Sequence, residues 1–239
     1  MNVLGLTFRG ACRAAVETPV AGHCKFIVTV NADFIVRARE GDERLRRIID
    51  THYSTFDGFW PWLIARLRHP GEPCDKISGS DLIYRYAEQC HVAGRTLLIL
   101  GGGPGVAPEA ARRLNERFGG NGAHSWEPPF EPYPMSQGYI DALRDRVKAL
   151  QPMAVAVCLG SPKQEFLIED QLEFFSANGV SFACGAGGTV DFMAGRIKRA
   201  PLFVQNIGLE GVWRLLAQPS MFRLKRLLLS FRLFRYYFD

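Results

Sequence analysis

The chain has 239 residues, 47% of them hydrophobic and 22% charged, a globular balance that excludes a disordered chain, a collagen-like chain and a disulfide-dense mini-protein. The formal net charge of +5 is uneven: Pro219 to Asp239 holds five basic residues against one acid, while the first 218 residues hold 24 basic and 23 acidic ones. A near-neutral body excludes a broad nucleic-acid surface, and a short basic tail rich in Leu and Phe suits an anionic membrane surface or an acidic ligand.

In chain order, the apolar runs Phe26–Val30, Thr96–Leu100, Met153–Leu159 and Val180–Cys184 read as strands, with a weaker one at Ala123–Trp126. Continuous apolar strands are buried on both faces, which predicts a parallel sheet. Between them, Asp81–Ala93 has Leu82, Ile83, Tyr86, Ala87 and Cys90 at helical spacing, with Ser80 as cap and Gly94 as stop. Ala107–Phe118, Gly138–Leu150 and Lys163–Ala177 also read as helices, the last stopped by Asn178-Gly179. The alternation predicts a Rossmann-like α/β fold, a mostly parallel sheet with flanking helices. After Asp191 only helices are expected, broken at Gly208 and Pro219. The expected division is a catalytic α/β domain over 1–195 and an α-helical appendage over 196–239.

The six cysteines form no C-x-x-C pair and no zinc spacing, and the apolar settings of Cys158 and Cys184 suggest buried, reduced thiols and a cytoplasmic setting. No signal peptide is expected at the N-terminus. The longest charge-free run, Phe174 to Val190, is 17 residues with four glycines, too polar to span a bilayer.

In a parallel α/β sheet, ligands bind beyond the carboxyl ends of the strands. Thr29, Asn31 and Asp33 lie at the first such end; a polar strand exit would look the same. Gly101, Gly102 and Gly103 open the run GGGPGV after the second. Glycines there let backbone N–H groups approach a phosphate at a helix N-terminus, although a tight structural turn is the alternative. GSPKQEF follows the fourth strand, with Lys163 to pair a phosphate and Gln164 to bond a sugar or uracil; a solvated helix start is the other reading. GAGGTVDF follows the last, with Gly187, Gly188 and Thr189 before a helix. Together these turns favour a nucleotide-diphosphate ligand.

Asp57 sits in STFDGFWPW, flanked by Phe56, Phe59, Trp60 and Trp62. A carboxylate in aromatic surroundings suits a general base, while Asp-Gly is also a common turn. No D-x-D motif occurs, so no divalent cation is indicated, and no cofactor is expected.

Several motifs then converge. TVNADFIVRARE, TFDG, GGGPGVAPEAARRL, GSPKQE, GGTVDFMAGRIKRAP, GLE and WRLL, from about Phe26 to Pro219, resemble the WecG/TagA/CpsF glycosyltransferase family of bacterial surface-polysaccharide and teichoic-acid synthesis. The resemblance implies an inverting, metal-independent transferase. Such an enzyme moves a sugar of the N-acetylmannosamine type, or its uronic acid, from a UDP-sugar to an undecaprenyl-diphosphate-linked sugar. It implies Asp57 as base, Thr29 and Asn31 beside it, Gln164 at a substrate-contacting position and the glycine turns along the nucleotide. It also implies that the appendage brings arginines to the diphosphate, Arg214 most clearly, with Arg223 and Arg226 further on, and docks the enzyme on the inner face of the cytoplasmic membrane. Family members can be oligomeric, so a homo-oligomer is compatible.

The sequence departs from the family at three places. Lys76 stands where many members have Arg, Gly211 replaces a Trp after Gly-Leu-Glu, and Ser220-Met221 replaces the Arg after Pro219.

Leu224, Leu227, Phe231, Phe234 and Phe238 recur at spacings of three and four, with basic residues beside them. This is the pattern of an interfacial helix, so 219–239 is expected to meet an anionic membrane; a core-packing or oligomer helix is the alternative. Two other functions fit the turns without the resemblance: a non-catalytic UDP-sugar-binding subunit recruited to the membrane, and a nicotinamide-dependent oxidoreductase. The missing G-x-G-x-x-G speaks against the latter.

Overall fold

The computed structural model describes residues 1–198, 200–217 and 219–236, without the side chains of Leu202, Asn206 and Phe222. Phe238 of the predicted stripe lies outside the described residues. In chain order the elements are β1 (Asn2–Val3), β2 (Leu6–Thr7), α1 (Arg13–Glu17), β3 (Lys25–Val30), α2 (Ala32–Arg39), α3 (Glu43–Thr51), β4 (Tyr53–Phe56) and α4 (Phe59–Arg68). There follow α5 (Gly79–Val92), β5 (Leu97–Gly101), α6 (Val106–Phe118), β6 (Ala123–Trp126), α7 (Gln137–Leu150), β7 (Ala154–Cys158), α8 (Lys163–Ala177) and β8 (Phe182–Gly185). The chain ends in α9 (Thr189–Met193), α10 (Leu202–Asn206), α11 (Glu210–Ala217), α12 (Met221–Phe231) and a 3-10 turn, Arg232–Tyr236.

Six strands form one sheet in the order β4-β3-β8-β7-β5-β6, and β1 pairs antiparallel with β2 outside it. The pairings β3/β8, β8/β7, β7/β5 and β5/β6 are parallel. Every residue of β3, β5, β7 and β8 is buried, as expected for strands covered on both faces. The predicted α/β class with C-terminal helices is therefore observed.

The chain divides into two compact units, and β3 contributes to both. One comprises Glu17–Ile27 and Gly79–Arg196. Here the chain runs from β5 through α6 to β6 on one side, then through α7 to β7 on the other. The strand order therefore reverses between β5 and β7, a topological switch point of the kind at which α/β sheets bind ligands. Register pairs Gly101 with Cys158, so these two strands end level. The core is tight: Tyr86 stacks on Phe182 with ring centroids 4.4 Å apart. Burial pushes the thiols of Cys24, Cys90 and Cys184 up to about 12 and raises Cys158 further, the behaviour of inert core cysteines. The helices end where the sequence places them, with Gly119 left-handed after α6 and Asn178-Gly179 after α8. At α5 the helix begins at Gly79, so Ser80 lies inside the first turn rather than capping it.

The other unit comprises Met1–Val16, Val28–Ser78 and Ile197–Asp239. Phe8 stacks on Phe56 at 4.1 Å, and Leu45, Ile48 and Ile49 of α3 are buried. Strand β4 was not expected from the sequence. Two of its four residues are polar, yet both are buried and satisfied: Ser54 Oγ donates to Ile49 O at 2.7 Å and Thr55 Oγ1 to Ile77 O at 3.1 Å. Burial with hydrogen bonds removes the cost of such groups and hides the strand from a hydrophobicity reading.

In this unit α12 and the 3-10 turn pack on α2. Arg226 Nη2 lies 2.9 Å from Asp33 Oδ2, and Arg232 Nη2 lies 2.8 Å from Glu40 Oε1. Tyr236 Oη donates to Glu40 at 2.7 Å. The predicted stripe is only partly inward: Leu224 and Leu227 are half-buried while Phe231 and Phe234 are exposed. The 3-10 turn changes the helical phase after Phe231, and among the described tail residues Leu233 is the fully buried one. Among the described residues no helix is long and apolar enough to cross a membrane.

Candidate functional site

Chemistry-bearing residues gather in each unit separately. In the first-described unit they surround the switch point. Gly101 and Gly102 have φ of +91° and +95°, and a Cβ on Gly101 would lie 2.6 Å from Leu159 Cδ2 and 3.0 Å from Cys158 O. Only glycine fits that turn. Gly103 and Gly105 continue it into α6.

A carboxylate meets this turn. Glu127, the residue after β6, accepts from Gly105 N and Ala107 N, both at 3.2 Å, one on each oxygen. Glu127 has no signature in the sequence, because GGGPGV departs from the G-x-G-x-x-G pattern that would point to an acid at the end of the neighbouring strand.

Gln164 is a clamp between two turns. Its Oε1 accepts from Gly160 N at 3.1 Å and from Gly187 N at 3.0 Å, and its Nε2 donates to Glu165 Oε1 at 2.7 Å. Gln164 and Glu165 are both buried, and a Cβ on Gly185 would lie 2.5 Å from each of their polar ends. The two glycine turns after β7 and β8 are thus fixed to one amide. Gly188 immediately precedes α9, whose first residue, Thr189, is buried. Lys163 Nζ donates to Glu131 O at 2.8 Å and lies 4.4 Å from the Phe130 ring centroid. Burial pushes the Lys163 ammonium below its ordinary range, opposed by Glu131.

In the second-described unit, Asp57 follows β4 directly, and its N–H donates to Val30 O at 2.9 Å. Gly58, at φ +109°, turns the chain from Asp57 into α4. Lys76 is bridged in parallel to Phe56, which brings it level with the end of β4. Its Nζ reaches Gln205 O at 3.5 Å. Thr29 is buried within β3. Asn31 caps α2, its side-chain oxygen accepting from Phe34 N at 3.1 Å.

Arg214 of α11 shares an electrostatic neighbourhood with Asp57. Burial pushes its guanidinium below the ordinary range, Glu210 and Asp57 oppose that shift, and Arg223 and Arg226 add to it. Three arginines of the C-terminal helices and the predicted base are thus gathered in one unit. Asp33 is buried there, with Arg226 on one side and Arg37 Nη1 at 3.9 Å on the other.

Two of the departures from the family acquire causes. A Cβ on Gly211 would stand 3.2 Å from Leu227 Cδ1, so a side chain there would have to shift the end of Leu227 where α11 meets α12. Ser220 caps α12, its Oγ accepting from Arg223 N at 3.2 Å. Among the described residues no group of three or more His, Cys, Asp or Glu is placed to hold a metal ion.

A model of the glycosyl transferase WecG/TagA/CpsF family matches residues 1–238 of this chain. With nearly the whole length matched, the chain belongs to that family and is a glycosyltransferase.

Proposed function

From that membership, which supports sugar transfer from a donor to an acceptor in cell-surface polysaccharide synthesis, we propose the finer reaction: inverting, metal-independent transfer from a UDP-sugar of the N-acetylmannosamine or uronic-acid type to an undecaprenyl-diphosphate-linked sugar. The acceptor hydroxyl oxygen attacks the anomeric carbon, the bond from that carbon to the UDP oxygen breaks, and Asp57 takes the hydroxyl proton. The carboxylate ends the step protonated and UDP leaves with the bonding pair. The glycine turns bind the donor, those after β7 and β8 being held by Gln164; Lys76, Arg214, Arg223 and Arg226 supply charge for the diphosphates.

The observation that carries this reading is Asp57 at the carboxyl end of β4, sharing one electrostatic neighbourhood with Arg214. Supporting it, Phe203, Ile207, Leu209, Leu216, Met221 and Leu228 are all exposed between α10 and α12. Large exposed apolar side chains, together with the exposed Lys225 and Arg235 of the same C-terminal segment, fit an enzyme that docks on an anionic membrane to reach a lipid-linked acceptor. In this reading residues 196–239 are the docking appendage, and the place of work is the inner face of the cytoplasmic membrane.

The test is a screen of labelled UDP-sugars against one short-chain lipid-diphosphate acceptor, in buffer with and without a chelator. The expected result is acceptor-dependent UDP release that survives chelation. Transfer abolished by the chelator and restored by a divalent cation would refute the metal-independent mechanism.

A further inference from the structure

The β5–α6–β6 segment has the anatomy of a nucleoside-binding half-fold. A glycine turn follows β5, α6 crosses over, and β6 returns parallel beside β5 with an acid one residue past its end. In doubly wound sheets the acid in that place, about 20 residues beyond the glycine turn, receives the ribose hydroxyls.

Local chemistry agrees. The Glu127 carboxylate is exposed and offers about four lone-pair sites, of which Gly105 N and Ala107 N take two. That leaves about one acceptor site on each oxygen, a match in number for the paired 2′ and 3′ hydroxyls of a ribose. The same carboxylate already balances the positive end of α6, so a diphosphate brought there would meet like charge. A neutral ribose with two donors would not. Three residues along the same loop, Phe130 is almost fully exposed, and Lys163 approaches its ring. It offers an aromatic face to a base.

We infer that Glu127 is the ribose-binding, sugar-discriminating residue of the donor site, and that the Gly101–Gly105 turn receives the nucleoside rather than the diphosphate. This rests on the UDP-sugar reading above and names the part of the donor that each turn meets.

The experiment is calorimetric titration of UDP and 2′-deoxy-UDP into the wild-type chain, Glu127→Gln and Glu127→Ala, with a thermal melt of each. The wild type is expected to bind UDP about tenfold or more tightly than 2′-deoxy-UDP, the discrimination expected of a hydroxyl bonded to a charged acceptor. Glu127→Ala is expected to bind both alike, at the affinity the wild type has for 2′-deoxy-UDP. Glu127→Gln, which keeps one acceptor for the α6 amides, should fall between and melt close to the wild type. Discrimination unchanged in either folded variant would overturn the inference and leave Glu127 as a helix cap. UDP bound by the wild type without ribose discrimination would overturn it while sparing the donor reading. No UDP binding by the wild type would overturn both.

Discussion

Replacing Gln164 with Ala removes three hydrogen bonds at once. The N–H of Gly160 is at the surface and rehydrates at little cost, whereas Gly187 N is half-buried and the Glu165 carboxylate is buried. Each buried group that loses its partner costs about 1–3 kcal/mol, so a loss of roughly 2–4 kcal/mol is expected after partial hydration. Domain stabilities are about 5–15 kcal/mol, so that is a large fraction. Gln164→Glu keeps an acceptor for both glycines but puts a second carboxylate against Glu165, and should be at least as harmful. Urea unfolding of the three proteins gives the free energies, and amide exchange at Gly187 reports whether its turn has loosened. Faster Gly187 exchange with UDP affinity lowered in step is the expected pattern. A loss below about 0.5 kcal/mol, the scatter of ordinary surface substitutions, with Gly187 exchange unchanged, would refute the clamp.

Two further outcomes follow from the geometry. In the tail, Lys225 and Arg235 are exposed while Arg232 is paired with Glu40. At about 1 kcal/mol per basic residue near an anionic leaflet, Lys225→Ala with Arg235→Ala should weaken binding to anionic vesicles about 30-fold. Arg232→Ala should weaken it less, and equal losses per residue would contradict the ion pairing. The buried thiols set an alkaline limit. With Cys24, Cys90 and Cys184 held at about 12 when folded, against an ordinary thiol value of 9.0, the unfolded chain loses protons first as pH rises. Their contribution is intact below pH ~9 and lost above it, at roughly 1.4 kcal/mol per pH unit per thiol. Urea midpoints from pH 8 to pH 10.5 should fall more gently for Cys184→Ala than for the wild type, and parallel slopes would exclude the Cys184 thiol as a cause.

Much of this was legible in the sequence because the strands β3, β5, β7 and β8 are apolar throughout and their helices end on Gly or Asn. The strand that leads into Asp57 was not. Strand β4 hides Ser54 and Thr55 behind hydrogen bonds to Ile49 and Ile77, far along the chain or across a turn, and no local pattern records them. The residue types at the glycine turns were visible, but the link between two of them was not: Gln164 bonds Gly160 and Gly187, a tie that no local pattern records. Glu127 reads as one acid before two prolines until β6 lies beside β5. The tail's charge was counted correctly, yet the pairing of Arg226 with Asp33 and Arg232 with Glu40 depends on α12 resting on α2. Linear charge arithmetic could not supply that.

The central claim is that Asp57 accepts the proton of the acceptor hydroxyl. Transfer of radiolabelled sugar from a UDP-sugar to a short-chain lipid-diphosphate acceptor, by the wild type and by Asp57→Asn at matched fold stability and UDP affinity, tests it most directly. Loss of a general base predicts a fall in turnover of about 10²–10⁴-fold with donor binding retained. Near-wild-type turnover by Asp57→Asn would contradict the account.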